Sequence, residues 1–316
     1  MGCSTVFRPL ALAVCALALA GCVVSPQAPG TSPPAPSRPT QPVTSAAPSA
    51  ASVAVSKHYA RVQADLLSNG LLRTDGGGRD TPFSDRMLAE NFIRIALYDE
   101  YTRGPGGPVQ RQTASRLRRW ETPVRVGLRF GASVSPASRA TDTARISSYL
   151  ARLSRITGHP IALSDTAPNF FIHIVNEDER RSLGPTVTAA LPGLSSGEVS
   201  SITNMPLSTY CLVYAMSEGS SGRYNRAFAV IRSEHPDLLR LSCMHEEIAQ
   251  GLGLANDSPR ARPSIFNDDE EFALLTSQDE LMLRILYNPA LRTGMSEAEA
   301  RPIVESLARA LLGGES

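Results

Sequence analysis

One predicted helix end in this chain carries oxygen-bearing side chains at spacings that suit metal binding or acid–base chemistry. Glu246 and Gln250 are four residues apart, so they share one face of the helix. Gly253 can adopt the left-handed conformation that ends a helix. The turn after it would bring Asn256 and Asp257 back toward that face. The spacing therefore predicts a polar cluster that faces a cleft.

Two interpretations of this cluster stay open at the level of the residues. Carboxylate and amide oxygens suit hard cations such as Ca²⁺ or Mg²⁺, so any cofactor predicted here is a divalent cation. Alternatively, the same side chains hydrogen-bond the backbone of the following turn and have only a structural role.

Residues 246–257 resemble the signature of metzincin-type zinc proteases, H-E-x-x-H-x-x-G-x-x-H followed by Asp. In that alignment Glu246, Gln250 and Asn256 occupy the three metal-ligand positions. Glu247 occupies the position of the catalytic glutamate, and Asp257 that of the trailing aspartate. Residues 275–287 resemble the C-terminal helix of those proteases. Over about residues 120–287, the resemblance implies a zincin-like mixed sheet with a helix of the active-site type.

The chain also resembles an uncharacterised bacterial lipoprotein family that is catalogued as a domain of unknown function. This likeness is carried by residues 246–257, 264–268 and 286–289. The family implies no activity.

All three histidines of the protease signature are replaced, which limits the chemistry of the site. A catalytic zinc takes three protein ligands, usually imidazoles, and keeps an open position for water. One carboxylate and two amides would lower the pKa of a bound water only slightly, so Glu247 would have little to activate. His245 does not replace the missing ligands, because it points about 100° away around the helix.

Two functions follow from these residues. The replaced ligands favour a non-catalytic binding or scaffold protein of the cell envelope, which keeps the cleft and holds an envelope protein or a peptide. The alternative is a metal-dependent hydrolase that cleaves envelope peptides with Glu247 as general base. We expect no nucleic-acid partner, since 31 basic and 30 acidic residues nearly cancel and leave no basic footprint.

The N-terminus predicts a lipid anchor. Arg8 precedes an apolar run that is too short to span a bilayer as a helix. The run ends at residues 19–22 in Leu-Ala-Gly-Cys, which resembles the bacterial lipobox and implies that Cys22 becomes the acylated first residue. An ordinary cleaved signal peptide is the alternative. Acyl chains such as palmitate anchor firmly, at about 0.8 kcal/mol per buried CH₂ group.

Composition then divides the chain. Residues 1–21 are predicted to be the signal peptide, and residues 22–56, rich in Pro, Ala and Ser, a disordered tether. Residues 57–115 are predicted to be a helical segment, and residues 116–316 an α+β domain. The domain would lie in the periplasm. By analogy with the sorting rules of enteric lipoproteins, Val23 after the cysteine implies the outer membrane.

Cysteine usage fits that compartment. Cys211 and Cys243 are the pair that remains after the signal peptide and the lipidated residue are set aside. In an oxidising periplasm they are predicted to form a disulfide, with two buried thiols as the alternative.

Hydrophobic periodicity predicts the elements that position these residues. Helices are expected over residues 59–72, 85–101 and 142–156 and from residue 236 onward; strands are expected over residues 124–130, 161–163, 169–175, 209–216 and 226–231. The acidic residues 267–271 are predicted to start a solvated helix. His173 is predicted to lie at the surface or at the edge of the cleft.

Overall fold

The computed structural model describes residues 47–104 and 107–313. The predicted signal peptide, Cys22 and most of the tether lie outside these residues and stay predictions. The described residues belong to one unit, Thr44–Ser316, that is not divided near residue 115. Helices and a mixed sheet alternate along it, which confirms the α+β class.

Eight strands are present among the described residues: β1 (Tyr98–Gly104), β2 (Gly107–Ala114), β3 (Arg119–Trp120), β4 (Val124–Phe130), β5 (Ile161–Leu163), β6 (Phe170–Val175), β7 (Cys211–Ser217) and β8 (Arg223–Arg232). β1 and β2 form a separate antiparallel hairpin. The other six form one sheet in which β5, β4, β6 and β8 are parallel neighbours. β7 pairs with β8 antiparallel, and β3 pairs with the start of β8.

Nine helices accompany these strands in the described part of the chain: α1 (Ala50–Ser68), α2 (Asp85–Ala96), α3 (Pro136–Thr157), α4 (Glu177–Arg181), α5 (Gly184–Ala190), α6 (Ser196–Thr203), α7 (Asp237–Leu252), α8 (Ser277–Leu286) and α9 (Glu297–Leu312). None of them is long and apolar enough to cross a membrane.

The sheet separates two cores because alternate residues of a strand point to opposite faces. Ala227, Ala229 and Ile231 of β8 belong to the main core, to which α2, α3, α7, α8 and α9 also contribute. Phe228 and Val230 face a smaller core under α5 and α6.

The N-terminal boundaries differ from the prediction. α1 begins at Ala50, so the predicted tether, which was to end at residue 56, is too long by about two helical turns. Ser49 caps the helix by accepting a hydrogen bond from the Ser52 amide, and the alanines that follow are strong helix formers. α2 begins at Asp85 as predicted, and Ser84 caps it by accepting a hydrogen bond from the Met87 amide. It ends at Ala96 rather than at residue 101, because the chain continues as β1.

α1 docks over the ends of β6 and β8 through polar contacts. The fully buried guanidinium of Arg232 binds Glu177 at 2.6 Å and lies 5.7 Å from the ring centroid of Tyr59 on α1. The Ser52 hydroxyl donates to Glu234 at 2.7 Å. α1 therefore covers a buried ion pair, and its removal would expose that pair to water.

Two smaller predictions are wrong. His173 is only 8 % exposed and stacks on Phe228, because β6 is a central strand with both faces covered. Burial lowers the pKa of His173 to about 4. Residues 267–271 form a loop in which Glu270 has a positive φ of 58°. The amides of Leu72 and Arg73 donate to carbonyls of this loop, which fixes a non-helical conformation.

Candidate functional site

The site is built on α7, one side of which packs against the sheet. Cys243 is bonded to Cys211 at the start of β7, so the predicted disulfide is confirmed. A Cβ atom on Gly251 would lie 2.5 Å from the Phe170 ring and 3.4 Å from a methyl group of Val213. The absence of a side chain at Gly251 therefore permits α7 to approach the sheet closely.

Glu247 lies between Cys243 and Gly251 in helical spacing, so it faces β7. Its side chain is only 2 % exposed. The predicted catalytic carboxylate is thus behind the edge of the sheet. No observation tests its catalytic role, which stays a prediction.

Gln250 and Asp257 meet as the predicted turn requires. The Gln250 Nε2 atom donates to Asp257 Oδ1 at 3.1 Å. Glu246, one turn earlier on α7, is half-buried. These three side chains form the polar part of the site.

Asn256 is engaged elsewhere. Its side-chain amide donates to the Arg94 carbonyl at 2.8 Å, and its backbone N–H donates to the Ile95 carbonyl at 3.1 Å. The residue is 1 % exposed. It thus fastens the turn after α7 to the end of α2, a structural role that the resemblance did not imply.

Among the described residues, no three His, Cys, Asp or Glu side chains lie together as a metal site requires. Glu246, Gln250, Asn256 and Asp257 therefore stay a predicted set of ligands. Amide oxygens also bind hard cations, so the metal content of the protein tests this set of ligands.

His245 has structural partners. Its Nδ1 atom accepts a hydrogen bond from the Leu275 amide at 3.1 Å, and its ring stacks on Tyr149 at 3.9 Å between centroids. Burial lowers the pKa of His245 to about 3, so the ring is neutral at physiological pH. It points away from the polar cluster, as the helical spacing predicts.

The end of α7 is fixed by close backbone approach. Gly253 has a φ of 128°, and a Cβ atom there would lie 2.3 Å from the Arg118 carbonyl oxygen. Trp120 Nε1 donates to the Gly251 carbonyl at 2.8 Å, and the Tyr287 hydroxyl donates to that of Leu252 at 3.0 Å. Sequence reasoning missed both aromatic donors, because neither is near α7 in the chain.

The outer edge of β7 is a feature that the sequence did not reveal. The Ala227 amide on β8 donates to the carbonyl of Asn169, just before β6, and the amide of Ser233, just after β8, donates to the Val175 carbonyl of β6. Odd-numbered residues of β8 therefore direct their backbone groups toward β6, and even-numbered residues direct theirs toward β7. Phe228 and Val230 are opposite Tyr214 and Leu212, which therefore bond to β8.

It follows that Cys211, Val213 and Ala215 direct their backbone N–H and C=O groups away from β8. No other strand pairs with β7 among residues 47–104 and 107–313. The side chains of Val213 and Ala215 adjoin the main core beside α7, whereas Tyr214 and Met216 adjoin the smaller core.

A polar groove of about 340 Å³ lies between α2 and α9, away from α7. Its lining consists of Asp85, Arg86, Ala89, Glu90, Glu305 and Arg309. Acidic and basic side chains alternate there without an apolar floor, so the groove suggests no ligand class.

The fold and the site define an α+β domain whose antiparallel edge strand runs beside a helix with buried and half-buried carboxylates. The family described as "Protein of unknown function (DUF2927)" matches residues 85–306, and the chain belongs to it. This confirms the predicted membership of an uncharacterised family. Comparisons with curated proteins and with solved structures gave no match. The resemblances to lipoproteins and to metzincin-type proteases stay predictions.

Proposed function

We propose that this chain is a lipid-anchored protein of the bacterial envelope whose domain binds an extended peptide segment without cleaving it. The observation that carries the proposal is the outer edge of β7, where the backbone groups of Cys211, Val213 and Ala215 face away from the sheet. An extended segment can add to such an edge as a further strand, with main-chain hydrogen bonds supplying affinity.

The surroundings of the edge would supply selectivity. On the α7 side, a bound strand would lie beside Glu246 and the Gln250–Asp257 pair. On the other side it would meet Tyr214 and Met216, which adjoin the smaller core. Alternate residues of the bound segment would therefore meet polar and apolar surfaces.

Binding without cleavage is supported by how the motif residues are used. Asn256 is engaged by the carbonyls of Arg94 and Ile95, and His245 by the Leu275 amide. Gln250 stands where the signature has its second histidine ligand, and its side-chain amide donates a hydrogen bond to Asp257. These residues serve structural contacts where an active site would need ligands.

The test is selection from a displayed peptide library on a fragment that starts at Thr44, the first residue of the unit that contains α1. Ala215→Pro removes one outward-facing N–H, and proline is tolerated at such edge positions. Ala215→Val keeps the N–H and is the matched control. We expect selected peptides to bind the wild type and Ala215→Val, and to bind Ala215→Pro about tenfold more weakly, the loss of one hydrogen bond. Equal binding to all three proteins would contradict pairing at β7.

The second candidate is the metal-dependent hydrolase, favoured by the buried position of Glu247 behind β7. Its test is the metal content of the same fragment, purified without chelator and measured by mass spectrometry. A near-stoichiometric divalent cation that is lost in a Glu246→Ala, Gln250→Ala variant would support it, together with chelator-sensitive peptide cleavage that Glu247→Gln abolishes. A folded, metal-free fragment that cleaves no peptide when metals are added would exclude it.

The anchor is tested separately in the full chain. Cys22→Ser should abolish incorporation of labelled palmitate and release the protein from the membrane fraction. Cys3→Ser is the control, because the predicted cleavage removes that residue. Membrane retention and unchanged labelling of the Cys22→Ser protein would contradict lipidation.

A further inference from the structure

We infer that the hairpin of β1 and β2 is a strap that passes around the β7 side of the sheet and must move before a guest strand pairs with β7. The position of the strap is argued from contacts and exposure within the fold, independently of any ligand. Its effect on binding rests on the proposed function.

The root of the strap lies beside the turn that follows α7. β1 begins two residues after α2 ends. The carbonyls of Arg94 and Ile95 at that end are the ones that hold Asn256. The residue after β2 is fixed at the same place, because the Ser115 amide donates to the Leu97 carbonyl at 2.8 Å. The root is therefore on the main-core face of the sheet.

The other contact of the strap lies on the opposite face. β2 lies against α6, a helix whose Ile202 is part of the smaller core. α6 is next to β7, since the Ser201 hydroxyl is 2.8 Å from that of Tyr214. A segment rooted on one face of a sheet that contacts a helix on the other must pass around the sheet. The side next to α6 is the side of β7.

The exposure of the two outer strands agrees with this route. On β5, at the far side of the sheet, Ala162 is exposed. On β7 every residue is half-buried, including the last, Ser217, although no strand covers its outer side among the described residues. The two cores cover the faces of β7, and the strap, which contacts α6, is the segment placed to cover its outer side.

The strap can be shortened without breaking the chain. Asp99 and Thr113 face each other across the hairpin, so residues 100–112 can be replaced by Asn-Gly, which favours a two-residue turn. The readout that needs no guest is hydroxyl-radical labelling of Tyr214 and Met216. Met87 on α2, 41 % exposed, serves as internal reference. Labelling of Tyr214 and Met216 should rise relative to Met87.

Peptide affinity supplies the second readout. If the strap is closed in about nine molecules in ten, its removal tightens binding of a selected peptide about tenfold. Equal affinity for the wild type and the shortened protein would overturn the strap as a gate. Unchanged labelling in a shortened protein with native circular dichroism would overturn its position.

A further variant and a comparison of the two readouts distinguish failure of the strap from failure of the proposed function. A protease site inserted between Gly107 and Pro108 allows the hairpin to be cut after folding, in case the shortened protein does not fold. Labelling should then rise on cutting, and unchanged labelling of the cut, folded protein would also overturn the strap. If labelling rises but no peptide binds any form, the proposed function fails and the position of the strap stands.

Discussion

At the scale of single residues, the motif region shows how one segment can keep its shape while its side chains serve other contacts. Gly253 keeps the positive φ that the turn after α7 needs. Asn256 and His245 bind backbone groups that are far from them in sequence. The geometry of the segment therefore depends on a few contacts that can be removed one at a time.

Gly253→Ala should destabilise the domain by about 2–4 kcal/mol. Alanine at this position would have to adopt a positive φ, and its Cβ atom would clash with the Arg118 carbonyl. Gly158→Ala is the matched control, since Gly158 also ends a helix at positive φ but has open space around the added Cβ atom. The control should lose only about 1–2 kcal/mol. Urea unfolding of both proteins measures the difference, and equal losses would contradict the role of close approach.

His245 should make stability depend on pH. Its pKa is about 3 in the folded protein, against 6.5 for an ordinary histidine. The unfolded chain therefore binds more protons in between, and the stabilisation present above pH 6.5 is lost as the pH falls toward 3, at up to about 1.4 kcal/mol per pH unit.

The test is His245→Asn, which keeps an acceptor for the Leu275 amide but takes up no proton. The free energy of unfolding of this variant should fall less steeply between pH 6.5 and 4 than that of the wild type. Comparing slopes cancels the contribution of other titrating groups, Asp279 and Glu270 among them. Parallel curves would show that His245 does not titrate on unfolding in this range.

At the scale of elements, the pairing of β7 with α7 defines the candidate site. The Cys211–Cys243 disulfide connects the two elements across a sequence separation of 32 residues. In the chain-entropy treatment a loop of this length contributes about 3–4 kcal/mol. The same bond keeps the edge strand next to Glu247.

Replacing both cysteines by serine should therefore lower the free energy of unfolding by about 3–4 kcal/mol. Denaturant titration of the oxidised wild type, the reduced wild type and the double variant measures the effect. The reduced wild type controls for the polar substitution at Cys243, which is 1 % exposed. A stable reduced protein would show that packing alone fixes β7 on α7.

At the scale of the whole molecule, the folding unit is larger than the family match. The match covers residues 85–306, whereas α1 lies before it and buries Tyr59 completely. The Tyr59 hydroxyl donates to the carbonyls of Leu207 and Thr209, just before β7. The helix that follows the predicted tether is thus an integral part of the domain.

A fragment that starts at Asp85 should consequently be less stable than one that starts at Thr44. It would leave Arg232 and the apolar partners of α1, including Leu239, exposed to water. Thermal unfolding and limited proteolysis measure the difference. A Tyr59→Phe variant of the longer fragment, which loses only the hydroxyl contacts, should lose about 1 kcal/mol. Equal melting temperatures of the two fragments would show that α1 is dispensable.

The sequence by itself determined the local elements and the class of the fold. Alternation in residues 124–130 and helical spacing before Gly253 are local patterns, and local hydrogen bonding makes them readable without the rest of the chain. The disulfide followed from the even pair of cysteines. The hairpin was missed, because the glycines and prolines of residues 104–108 predict only the end of a helix.

Only the tertiary structure decided which strand lies at the edge and which side chains reach the site. The order of strands depends on pairings such as that of β6 with β8, which are about 57 positions apart in the chain. Asn256 turns toward Arg94, 162 residues away. Such contacts arise from packing of distant elements, so no spacing within the motif predicts them. The motif determined a polar helix end, and the surrounding elements determined which of its side chains stay together at the end of α7.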